Sequence, residues 1–171
     1  MKELLDRVSS YNILNYLIPG AIFWYMYPII CGKTLPSAKF VEELFVFYFA
    51  GMIIYGIGSI IIEPIFRKTK IVTYADYKDY IKASKDDLKL ETLSESNNAF
   101  RTMISLALVL GVSKIYVLIT NSYPIPSWVT PVLLLIFLII IFSLLYKKRT
   151  DYIRKRVEKY MKEIEKSNNT Q

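Results

Sequence analysis

Histidine is absent from the 171 residues, and Cys31 is the only cysteine. These absences exclude a disulfide within the chain, a Cys/His zinc site and any nucleophile activated by a neighbouring imidazole. Carboxylate or lysine chemistry survives them, but no clustered pair of such groups stands out, and Glu63 with Arg101 does not make a polar catalytic cluster. The chain reads as a non-enzyme with no cofactor and no metal. Charge is missing over whole stretches as well: none falls between Val8 and Gly32, or between Ser127 and Tyr146.

What is present is apolar and blocky. Hydrophobic residues make up 53% of the chain and aromatics 15%, gathered in long runs that suit lipid better than a water-facing fold. Lys2 and Arg7 ahead of the first run imitate a secretory signal. No small-x-small site follows, however, the run opens on Asn12 and Asn15, and bulky Ile30 is wrong before a lipoprotein cysteine. The segment is read as a retained helix.

The spacing predicts an all-α integral membrane protein with four transmembrane helices, a helical cytoplasmic loop and a C-terminal cytoplasmic helix. A core about 30 Å thick needs about 20 apolar residues, and the spans are expected at about 11–30, 44–66, 100–120 and 127–146. Residues 1–146 then form the membrane domain and 147–171 a basic tail. Pro19-Gly20 should bend the first span or open a backbone carbonyl, and Glu63-Pro64 should mark the inner exit of the second. Between spans two and three, the loop 67–99 should carry an amphipathic helix at about 74–88. Ser94–Asn98 offers helix-start residues for span three. In the tail, Ile153, Val157, Tyr160 and Ile164 keep heptad spacing, which suits self-association beneath the membrane. Residues 1–10 could form a short interfacial helix, and Ser167–Gln171 is expected to fray.

Lysine and arginine are lopsided. Nineteen lie in the N-terminal segment, the middle loop with Arg101, and the tail; the two opposite loops hold only Lys33 and Lys39, with Lys114 within span three. The positive-inside rule puts both termini and the 67–99 loop in the cytoplasm.

Two groups of residues are candidates for function. Arg67, Lys68, Lys70 and Arg101 near the inner ends of spans two and three, with Lys147, Lys148, Arg149, Arg154, Lys155, Arg156 and Lys159 after span four, form a basic surface interleaved with Tyr146, Tyr152 and Tyr160. Cations that track phosphates beside rings that stack bases are what single-stranded nucleic acid requires; acidic lipid heads and topology demand the same cations. Gly51 and Gly58 on span two, and Ala107, Gly111 and Lys114 on one face of span three, are the helix-interface or pore candidates. Lys114 either faces protein and water or snorkels to the outer interface. Two functions fit: an oligomeric pore, or a non-conducting membrane anchor or scaffold that recruits a cytoplasmic partner through its basic loop and tail.

The opening YNILNYLIPGAIFWY, the NNAFRT stretch at the start of span three, and the apolar hairpin before a basic, tyrosine-bearing tail resemble the small four-span membrane effectors of Hailong-type bacterial anti-phage systems. The resemblance implies a homo-oligomeric ion channel, a tetramer, in the bacterial inner membrane. It also implies an operon-encoded nucleotidyltransferase whose product, a short single-stranded DNA, holds the channel shut. Loss of that DNA would open the pore and depolarise the infected cell.

Overall fold

Prolines decide where the first two helices are irregular. The computed structural model describes residues 12–36, 39–87, 89–123 and 125–168, with side chains at all of these except 78, 85 and 162–168. Helix α1 spans Ile13–Cys31 and α2 spans Phe40–Lys68. Each contains one π-turn, Ile13–Leu17 in α1 and Gly58–Ile62 in α2. Each π-turn ends two residues before a proline, Pro19 or Pro64. A proline inside a helix has no N–H to donate and its ring crowds the carbonyl four residues back; widening the turn just upstream relieves both. The helices therefore run through Pro19 and Pro64. Gly32, at φ 69°, closes α1, its N–H bonding to Pro28 O at 2.9 Å.

Helix α2 is charged to match its dipole. Glu42 and Glu43 occupy its first turn and Arg67 and Lys68 its last, and Glu42 accepts the Lys39 N–H at 3.2 Å. It starts about four residues earlier than the hydropathy alone suggests, because these acids suit a helix N-terminus. A short amphipathic helix α3, Tyr77–Asp86, follows, inside the expected 74–88 segment.

Helix α4 runs from Lys89 to Ser122, 34 residues or about 51 Å. The expected start at Ser94–Asn98 is corrected: that stretch lies within the helix. No proline interrupts it, and hydroxyls that could have capped a later start bond back along the helix instead, Ser96 Oγ donating to Thr92 O at 3.0 Å and Thr102 Oγ1 to Asn98 O at 2.8 Å. The connection to span two thus narrows from 67–99 to 69–88.

Helix α5, Val129–Asn168, is a single helix of 40 residues, about 60 Å long. No break separates the apolar run from the basic tail. All regular structure among the described residues is helical, and α1, α2, α4 and α5 are long and apolar enough to cross a membrane. The chain divides into two units, 1–125 and 126–171. The expected interfacial turn at 1–10 lies outside the described residues, as does the end of the tail beyond 168.

In the first unit α1, α2 and α4 share a core. Ile54, Leu106 and Leu110 form its buried centre, ringed by Phe23, Met26, Tyr27, Ile30, Met103 and Val109. Two glycines let α1 and α2 touch backbone to backbone. A Cβ on Gly20 would overlap the Phe47 carbonyl, and one on Gly51 would overlap that of Tyr16. Beyond the bend or opened carbonyl expected of Pro19-Gly20, Gly20 allows close approach to α2. Tyr16 fills the space beside this contact, edge-on to both Tyr48 and Tyr55.

Candidate functional site

Where α2 and α4 approach near the π-turn of α2, Gly58 opens room for the polar side chains of α4. A Cβ there would lie 3.3 Å from Ser105 Cβ and 3.5 Å from Arg101 Cγ. Into this space Ser105, fully buried, donates Oγ–H to Ile54 O at 2.7 Å. That carbonyl also receives the Gly58 N–H. One turn away, Arg101 Nη1 donates to Glu63 Oε2 at 2.7 Å, with 13% and 11% of the two side chains exposed. The guanidinium also lies 5.0 Å above the Tyr55 ring. Its Nε is buried with no acceptor among the described residues. Arg67, 62% exposed, approaches the same carboxylate at 4.0 Å.

A buried ion pair survives desolvation only when its geometry is good. Here a short charge-assisted hydrogen bond and an aromatic face supply it. Arg101 is thus committed inside the helix pack, apart from the cations at the surface. The sequence reading weighed Glu63 with Arg101 only as a catalytic cluster; an acid and a base near the same end of consecutive spans is a usable signal of the structural pair they form.

The remaining candidate cations are spread over two units. In the first, Arg67 sits 4.8 Å from the Tyr74 ring centroid, while Lys68 and Lys70 are exposed. In the second, Lys147, Arg149, Lys155 and Arg156 are exposed and Lys148 and Lys159 half-buried. Lys148 Nζ lies 6.0 Å from the Tyr152 ring. Arg154 is engaged along its own helix by Asp151 at 3.3 Å and Glu158 at 3.9 Å.

The interface candidates separate in the same way. Gly51 packs on α1 and Gly58 on α4, so one stripe serves two neighbours at different heights. Ala107 is exposed, Gly111 is exposed with nothing within 4 Å of where its Cβ would stand, and Lys114 is half-buried. Among the described residues no group of three His, Cys, Asp or Glu side chains comes together to hold a metal ion. Comparison with protein-family models, with curated proteins and with solved structures finds no match for this chain.

Proposed function

We propose that the chain is one subunit of a homo-oligomeric ion channel in the bacterial cell membrane, with both termini in the cytoplasm, acting as an effector of anti-phage defence. The observation that carries this reading is the face of α4. It presents Ala107, Gly111 and Lys114 on a helix apolar enough to span, and the other helices of its unit leave that face largely open. A lysine facing lipid within a span costs about 2.5–3.5 kcal/mol. A further copy of the chain, or a water-filled path between copies, removes that cost, and small residues allow the close approach.

Arg67, Lys68 and Lys70 in the first unit, or the cations of the α5 tail with Tyr146, Tyr152 and Tyr160 in the second, suit a phosphate-rich ligand such as a short single-stranded DNA. To hold the channel shut, the DNA has to bind the closed arrangement more tightly than the open one. An operon-encoded nucleotidyltransferase would act through this product.

Ion flux through liposomes containing the purified protein, with and without short single-stranded DNA at moderate salt, tests the proposal. Flux that the DNA blocks is the expected result. No flux from intact oligomers under either condition overturns it and leaves the non-conducting anchor, recruiting a partner through its basic loop and tail. Flux indifferent to DNA retains the channel and removes the ligand.

A further inference from the structure

Helix α5 carries an apolar stripe where lipid cannot reach it. Because the span and the tail are one unbroken helix, a membrane crossing by its apolar part obliges the tail to leave the bilayer rather than lie along its surface. Residues 147–161 then extend about 22 Å into water. Ile153, Val157 and Tyr160 lie on one face of that stretch and are 65%, 55% and 64% exposed. Their spacing of four and three is that of a coiled-coil seam. The same register continues back into the apolar run through Thr150, Tyr146, Ser143 and Ile139, all exposed. In sequence it continues forward to Ile164.

We infer that this seam is where copies of the chain join, as parallel tail helices in a ring of more than two. This inference rests on the proposed homo-oligomer and assigns it a contact surface outside the membrane, in addition to the face of α4. Copies inserted in one membrane with one orientation have to run parallel.

The flanks of the seam decide against a pair. In a two-stranded parallel coil each flanking residue meets the opposite flank of its partner five positions on. Arg149 would then face Arg154 of the other copy. In a ring, one flank of each helix meets the outer part of the other flank of its neighbour. One flank carries Arg149 and Arg156. The other carries Asp151 and Glu158, the two acids between Lys147 and Met161. A ring therefore sets bases against the two acids that Arg154 holds along its own helix only through solvent-exposed contacts. Two heptads in water are short for a coiled coil. Anchoring in one membrane raises the effective concentration of the tails, and the span has already nucleated the helix.

The arrangement also sorts the basic residues. Arg149 and Arg156 turn toward the neighbouring copy, whereas exposed Lys155 lies opposite the seam and stays outward for an anionic ligand.

Cysteine cross-linking in native membranes tests the seam. The full chain is used in a Cys31→Ala background, with its oligomeric state measured alongside in lipid discs. Val157→Cys is expected to form intersubunit disulfides at least ten times faster than Lys155→Cys. Arg156→Cys combined with Glu158→Cys is expected to give a ladder that extends beyond dimers. If the chain is oligomeric but Val157→Cys cross-links no faster than Lys155→Cys, the seam is wrong and the oligomer stands. A doubly substituted chain that stops at dimers rejects the ring. A monomeric chain overturns both the seam and the oligomer on which it rests.

Discussion

In α2, 44% of the most apolar 18-residue stretch is buried inside the fold; in α5 the share is 6%. Both helices are apolar, so the difference lies in what else they carry. Helix α2 has Gly51 and Gly58, which bring backbones close, and Glu63, which anchors Arg101. Its π-turn widens the helix before Pro64 in the same region. Helix α5 has no glycine, and its apolar run is made of large aliphatic side chains. Small and polar residues hold helices to one another inside apolar solvent, because lipid already satisfies Leu and Ile. The first unit contains its own partners. Helix α5 forms the second unit by itself, and its seam and its charges suit further copies.

Substitutions at glycines put the largest strain on this contrast. Gly51→Val should destabilise the first unit by at least about 3 kcal/mol, since the new carbon meets backbone that cannot move aside. Gly111→Val, with nothing of its own chain within 4 Å, should stay within about 0.5 kcal/mol in the dissociated subunit. Unfolding in mixed micelles reads both, and equal losses would break the distinction between packed and open faces.

The ion pair comes next. Arg101→Met should cost up to about 3–5 kcal/mol, because it removes the close cation of Glu63 and leaves the more distant, exposed Arg67. Adding Glu63→Leu should recover most of that loss, whereas Arg154→Met on α5 should leave unfolding unchanged. A double variant no better than the single one would mean that the pair is not the source of the stability.

Ser105→Ala should cost only about 1 kcal/mol, since Ile54 O keeps its bond from the Gly58 N–H. The smallest effect on stability is expected from Lys114→Ala, yet that change should alter unitary conductance or ion preference. Indistinguishable single-channel currents would return Lys114 to the role of a residue snorkelling to the interface.

The sequence made the four apolar helices plain, because length and the absence of charge are local properties. Helix ends were harder to read. Ser96 looks like a capping residue, but its hydroxyl bonds within α4, a choice made by the continuing helix rather than by the residue. Gly20 looked like a hinge beside Pro19, and only the position of Phe47 makes it a contact. The Glu63–Arg101 bond joins residues 38 apart in sequence, so composition counted Arg101 with the surface cations. Heptad spacing in the tail was visible as a pattern. That it continues as one helix with the span was not, because nothing in Tyr146-Lys147 marks the absence of a break.

Whether the chain works as one subunit among several is read most directly by counting photobleaching steps of singly labelled full-length protein in lipid bilayers. Three or more steps per particle are the predicted result. A single step per particle, from protein that is folded and inserted, would contradict it.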